Sequence, residues 1–137
     1  MPHVTAVLET VLYVADLDRA ATFYREVMQL EPLFADGRMR AFDVAGRGVL
    51  LLFVERGTLD PVTTPGGVIP PHDGAGPMHL AFSIAKDDTQ AWRDHLARHA
   101  IAIEGTVDWP RGAHSLYFRD PDNHLLELAT PGLWQGY

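Results

Sequence analysis

Three side chains able to hold a cation stand in stretches that otherwise read as buried strands. Glu127 interrupts LLELA at 125–129, His79 lies in MHLAFSIA at 78–85, and Glu9 lies in VTAVLETVLYV at 4–14. A carboxylate in an apolar strand is costly unless it is paired or bound to a metal. Alternate residues of a strand share a face, so Glu127 lies with Leu125 and Ala129 while Leu126 and Leu128 point the other way. Two carboxylates and an imidazole, with further coordination positions open, form the donor set of a catalytic rather than a structural metal site. The chain has no cysteine, so the set lacks sulfur; it suits Zn, Ni, Mn or Fe and does not choose among them. A divalent ion held this way would polarise a bidentate oxygen ligand as a Lewis acid. The competing account makes Glu127 a structural ion-pair partner of Arg119 or Arg111, His79 a satisfied core histidine and Glu9 an edge-strand acid facing water.

The elements that must position these residues fall into two similar halves. Val4–Val14 reads as a strand, Asp16 as an N-cap, and Leu17–Leu30 as a helix with Leu17, Ala20 or Ala21, Tyr24, Val27 and Met28 in one stripe. Short strands follow around Pro32-Leu33-Phe34 and over Met39–Val44, and Val49–Val54 is an uninterrupted buried strand. Residues 56–77 carry many prolines and glycines and no period, which predicts a loop that is either disordered or functional, such as a lid. The second half repeats the order: a strand at Met78–Ala85, a helix from about Thr89 to His99 capped by Asp87 or Asp88, and a strand at Ile101–Val107. A turn at Trp109–Gly112 then leads into the strand–turn–strand stretch LYFRDPDNHLLELA. Its Asp120-Pro121-Asp122-Asn123 is a turn with Pro presetting φ and Asn tolerating positive φ. The tail at 131–137 is expected to lay Leu133 and Trp134 on the core.

Each half is thus β-α-β-β-β, an α+β pattern repeated once. Superposing first strands puts Glu9 on His79; superposing last strands puts Leu51 on Glu127. Four equivalent positions result, three of them Glu, His and Glu and the fourth Leu51. The organisation expected is a single 137-residue domain: module one at about 4–55, the loop at 56–77, module two at 78–130, and the tail.

At 47% hydrophobic, the chain can bury a sizeable core. Eighteen acids against eleven bases give a net charge of −7 with no basic cluster, which disfavours nucleic acid and anionic membrane as partners. No apolar run is long enough to span a bilayer. No signal peptide is evident, which leaves the cytoplasm as the expected compartment.

In LYVADLDRAATFY, HLAFSI and LYFRDPDNHLLELA, the chain resembles the vicinal-oxygen-chelate superfamily of glyoxalase I, fosfomycin-resistance thiol transferases, bleomycin-resistance proteins, methylmalonyl-CoA epimerase and extradiol dioxygenases. The resemblance covers nearly the whole chain. It implies paired βαβββ modules forming a cup-shaped mixed sheet, metal ligands at Glu9, His79 and Glu127, and a homodimer in which Glu9 of one subunit joins the other two residues of its partner. Leu51 stands where glyoxalase I has a fourth ligand, and Glu9 stands where the thiol transferases and dioxygenases usually have histidine. The phosphonate-gripping lysine and serine of the former are not evident between Val107 and Ser115. The dioxygenase tyrosine is kept as Tyr117.

The function implied is a metal-dependent enzyme acting on a small oxygen-chelating substrate, by proton transfer beside a carbonyl or by addition to an electrophile such as an epoxide. Glu9 or Glu127 doubles as base, Tyr117 and Arg111 orient an oxyanion, and His72 on the loop shuttles a proton. The bland counterparts are Tyr117 as strand packing, Arg111 as a solvated turn residue and His72 as an exposed loop residue. The alternatives are a metal-free, drug-sequestering binder of the bleomycin-resistance type, which needs no ligand triad, and an extradiol-type dioxygenase.

Overall fold

Strand, helix and three strands follow one another twice along the chain. The computed structural model describes residues 1–137 and divides into two units, Met1–Gly76 and Pro77–Tyr137. In the first, β1 (Glu9–Val14) leads to α1 (Leu17–Glu26), then β2 (Glu31–Ala35), β3 (Met39–Val44) and β4 (Gly48–Val54). The sheet order is β1-β4-β3-β2, with β1 parallel to β4 and the other pairs antiparallel. Asp16 caps α1, its Oδ1 accepting the Arg19 N–H at 3.0 Å. The helix stops short of the expected Leu30 because Gln29 takes a left-handed φ of 57° and the Leu30 N–H turns back to the Tyr24 carbonyl. Leu17, Ala20, Phe23 and Tyr24 are its buried residues. The even-numbered side chains Leu12, Val14, Phe42, Leu50 and Leu52 are buried on one face of the sheet, where Tyr24 meets Phe42. The other face carries Tyr13, Ala41, Leu51 and Phe53, flanked by Val11, Met39 and Val49.

The first strand begins at Glu9 rather than Val4. Its partner β4 starts at Gly48, so only the Leu8 carbonyl, accepting the Val49 N–H at 2.9 Å, continues the ladder. Val4, Val7 and Leu8 are exposed. Within the long loop, β5 (Val62–Thr64) and β6 (Gly67–Ile69) make a small hairpin, regular structure that the Pro- and Gly-rich composition had hidden.

The second unit runs β7 (His79–Ser83), α2 (Thr89–Arg98), β8 (Gly105–Asp108), β9 (His114–Arg119) and β10 (Leu125–Ala129), in sheet order β7-β10-β9-β8. Again the first strand lies parallel to the last. A 3-10 turn at Lys86–Asp88 precedes α2, and neither Asp87 nor Asp88 makes the expected side-chain cap. The strand expected from Ile101 starts at Gly105, because the Ile101 N–H returns to the Leu96 carbonyl to close the helix. In the tail, Trp134 is exposed rather than packed; Tyr137 docks instead, its hydroxyl donating to the Ala129 carbonyl at 2.7 Å.

The two registers match. Glu9 pairs with Val49 and Val11 with Leu51, while His79 pairs with Leu125 and Ala81 with Glu127. Positions 9 and 79 therefore open equivalent strands, and 51 and 127 lie at equivalent points of the strands beside them. No helix is long and apolar enough to cross a membrane.

Candidate functional site

In the second unit, alternation places His79, Ala81, Glu127, Tyr117 and Ser115 on one sheet face. Glu127 is buried, with its side chain 6% exposed, and His79 stands half open beside it at 50%. The imidazole Nε2 lies 3.2 Å from Glu127 Oε1. On the other side of the ring, Nδ1 meets the Leu125 carbonyl at 2.9 Å. A carbonyl only accepts, so Nδ1 carries the hydrogen and the neutral ring has its lone pair on Nε2, facing the carboxylate. Two acceptor atoms in contact need a cation between them, either a proton on the ring or a metal ion.

The second carboxylate oxygen is spoken for. Ser115 Oγ donates to Glu127 Oε2 at 2.6 Å, and Trp109 Nε1 donates to Ser115 Oγ at 2.9 Å. Indole only donates, so the polarity of this chain is fixed and the serine hydrogen goes to the carboxylate. Neither arginine proposed as an ion-pair partner reaches Glu127. Arg119 pairs with Glu104 at 2.7 Å, and Arg111, exposed in its turn, donates to the Leu133 carbonyl at 3.4 Å.

Tyr117 faces Glu127 directly across the β9–β10 pair and stacks at 6.4 Å on the His79 ring. Burial, followed by the negative charge of Glu127, pushes its phenol above the ordinary tyrosine value. It therefore stays protonated, a hydrogen-bond donor, through neutral pH.

The turn before β10 holds His79 in place. Asp120 Oδ1 accepts the N–H groups of Asp122 and His124, and Asn123 takes φ 68°. The buried His124 ring then accepts the Met78 N–H on Nδ1 at 2.8 Å, while the Met78 carbonyl accepts the Leu125 N–H at 2.8 Å. Met78 is thus clamped on both sides of its backbone, one residue before the imidazole. Within this unit no third His, Asp or Glu completes a metal-ligating group with His79 and Glu127.

The other sequence candidates lie in the first unit. Glu9 is exposed at the start of β1, on the face of Val11, Tyr13 and Leu51. His72 bonds through Nδ1 to the Tyr13 hydroxyl, which also meets Thr58 Oγ1 at 2.8 Å, and the Thr58 hydroxyl donates to the His72 carbonyl. Its ring packs on Tyr13 and Phe53.

Sequence reasoning missed Ser115, Trp109 and His124. Ser115 shares strand parity with Tyr117, a signal that was there to use; the reach of Trp109 and His124 depends on turn geometry that no local pattern carries.

The donor set fits a divalent ion. Two ligands on one ion, each at about 2.0–2.1 Å, lie about 3.3 Å apart at the tetrahedral angle, close to the observed separation of Nε2 and Oε1. Oε2 is already satisfied, and Nδ1–H is held by a carbonyl, the usual outer-shell arrangement of a metal-bound histidine.

Residues 2–128 match the family described as Glyoxalase/Bleomycin resistance protein/Dioxygenase superfamily. The chain belongs to this superfamily. Among proteins of known role, it is 29% identical to the metallothiol transferase FosB of Staphylococcus epidermidis, over 93% of this chain and 83% of that protein. It is 26% identical to the fosfomycin resistance protein FosX of Listeria monocytogenes, over 85% and 83%. Among solved structures, the lactoylglutathione lyase of Agrobacterium tumefaciens superposes with a TM-score of 0.85 at 32% identity, covering 95% of this chain and 96% of that one. The superfamily fold is the α+β, twice-repeated β-α-β-β-β arrangement described above.

Proposed function

We propose that this superfamily member is a divalent-metal-dependent enzyme acting on a small oxygen-chelating substrate, with lyase, isomerase or thiol-transfer chemistry. The observation that carries the reading is the His79 Nε2 lone pair held 3.2 Å from a carboxylate oxygen whose partner oxygen is already bonded. The names of the relatives, a metallothiol transferase and a lactoylglutathione lyase, support it.

In this reading His79, Glu127 and Glu9 are the protein ligands, with Glu9 contributed across a homodimer. The ion they hold would supply Lewis-acid polarisation of the substrate's paired oxygens. Ser115 keeps Glu127 fixed, so Glu127 stays in place as an anchoring ligand. Glu9, exposed at a strand start and without a hydrogen-bond partner in its own unit, is the carboxylate free to move and take a proton from the substrate. Tyr117, kept protonated, donates its phenolic hydrogen to an oxyanion on the substrate.

Elemental analysis and calorimetric titration with Zn, Ni and Mn test the proposal. Wild type is expected to bind one ion per chain, and Glu127→Ala and His79→Ala to lose it while keeping a wild-type circular dichroism spectrum. Mixing Glu9→Ala with His79→Ala chains is expected to restore part of the metal binding in the hybrid dimer. A wild-type protein that neither carries nor takes up a divalent ion would leave only the metal-free binder.

A further inference from the structure

Arg38 makes no side-chain hydrogen bond or close ion pair, and its guanidinium lies over the sheet face that carries Tyr13, Leu51 and Phe53. Its backbone is held on both sides: Arg38 N–H donates to Asp36 Oδ1 at 2.8 Å, and the Arg38 carbonyl accepts the Val54 N–H at 3.0 Å. The guanidinium lies 5.2 Å over the Phe53 ring, a cation–π contact. The stem runs past Gly57, where an added Cβ would come to 3.5 Å from Arg38 Cγ. The side chain is thus partly buried and placed, yet its five N–H donors have no acceptor in the chain. Asp36 is the one carboxylate whose charge Arg38 influences, and no acid of the chain forms a side-chain hydrogen bond with the guanidinium. Asp36 accepts the N–H groups of Arg38 and Met39, Asp73 pairs with Arg56 at 3.4 Å, and Asp18 pairs with Arg40 at 2.9 Å.

His72 borders the same ring, edge-on to Phe53 at 5.1 Å. Counting hydrogens settles its tautomer. Thr58 gives its hydroxyl hydrogen to the His72 carbonyl, so Tyr13 must give its own to Thr58, and His72 Nδ1–H must donate to Tyr13. His72 Nε2 is therefore the open atom of that ring. Phe53 thus has the Arg38 guanidinium over its ring and the His72 ring in a T-shaped contact, on the face that carries Leu51 and Met39.

We infer that Arg38, Phe53 and His72 form an oxyanion-binding subsite that takes the carboxylate or phosphate-type group of a ligand whose apolar part lies on the Tyr13–Leu51–Met39 face. The planar guanidinium offers a bidentate fork suited to either anion, and His72 Nε2 accepts a hydroxyl or protonated oxygen beside it. Glu9 and Tyr13, four residues apart on one strand, lie about 13 Å from each other. If Glu9 is a metal ligand as proposed above, the substrate is elongated, chelating at one end and anionic at the other.

The subsite is tested without metal by titrating the uniformly 15N-labelled apoprotein with inorganic phosphate, and separately with acetate, at constant ionic strength. The arginine Nε–Hε and histidine resonances are followed by NMR. The Arg38 resonance is expected to shift along a saturable curve with a midpoint about tenfold below that of any other arginine. Arg38→Lys is expected to weaken the response seen at His72 several-fold, and Arg38→Met to abolish it, with the rest of the spectrum unchanged. Saturation by one anion alone assigns the subsite to that chemistry. Parallel, linear shifts at every arginine, or a saturable response at His72 that survives Arg38→Met, would overturn the inference. Glu127→Ala is expected to keep the anion response, so loss of metal binding and loss of this subsite are told apart.

Discussion

Ser115 donates to Glu127 Oε2 at 2.6 Å and so decides which oxygen of that carboxylate faces His79. Sequence distance hides the relationship: the two residues lie on adjacent antiparallel strands, Ser115 one diagonal step from the Tyr117–Glu127 pair. Without the hydroxyl, the carboxylate can rotate and Oε1 loses its fixed position. Ser115→Ala is expected to weaken divalent-metal affinity about 10–100-fold. The accompanying stability loss is expected to stay within about 1–3 kcal/mol, since the Trp109 indole N–H loses its acceptor as well. Calorimetric metal titration alongside urea denaturation separates the two effects; unchanged metal affinity would show that Ser115 does not position the ligand.

His124 makes the same point for the imidazole. Its Nδ1 is the acceptor for the Met78 N–H, and the ring is buried at 2% exposure. His124→Leu takes the acceptor from the part-buried Met78 N–H and is expected to cost about 1 kcal/mol for that bond. His124→Asn places an amide oxygen near the old Nδ1 position and is expected to recover much of that loss. Metal affinity, if it depends on the register of His79, should follow the same order: wild type, then Asn, then Leu. Equal stability and equal affinity in the two variants would mean that the Met78 clamp is not what holds the strand.

The paired β-α-β-β-β order could be read directly, because apolar runs, an Asp N-cap and the Asp-Pro-Asp-Asn turn are local signals. The equivalence of 9 with 79 and of 51 with 127 was also open to inspection, and the strand registers reproduce it. What the residues alone did not disclose was anything set by the end of a partner strand. Val4 to Leu8 have strand composition but run past the start of β4, and Ile101 to Glu104 are drawn into the exit of α2. Arg93 of α2 contacts His114 Nε2 at 3.2 Å, a tertiary choice invisible to helical periodicity. Arg38 escaped notice for a related reason: an arginine after Asp-Gly reads as a solvated turn residue, and only the fold lays it over Phe53.

Gly74 lets the loop pass over Tyr13. A Cβ at this position would stand 2.6 Å from the tyrosine ring, closer than side chains approach one another. Because that ring is packed against Phe53 and bonded to Thr58 and His72, it has little room to retreat. Gly74→Ala is expected to destabilise the first unit by about 1–3 kcal/mol through overpacking. It is also expected to raise amide exchange across residues 58–72, read by hydrogen–deuterium exchange. Unaltered exchange there would mean that the loop is not seated on Tyr13.

Asp36 gives the fold an acid-sensitive contribution with a definite sign. The backbone N–H of Arg38 is the largest influence holding its carboxyl below the ordinary value of 3.8, with the Met39 N–H and the charges of Arg38 and Arg40 adding to it against a desolvation that acts the other way. A carboxyl whose value is lower in the folded chain than in the unfolded one binds fewer protons when folded. Its stabilising contribution is therefore complete above the unfolded value and is lost as pH falls through the folded one. Asp36→Asn cannot titrate. Urea midpoints measured from pH 6 down to pH 3 are expected to fall less steeply for Asp36→Asn than for wild type, with the two curves converging at the acid end. Parallel curves over that range would show that the Asp36 turn contributes nothing to acid unfolding.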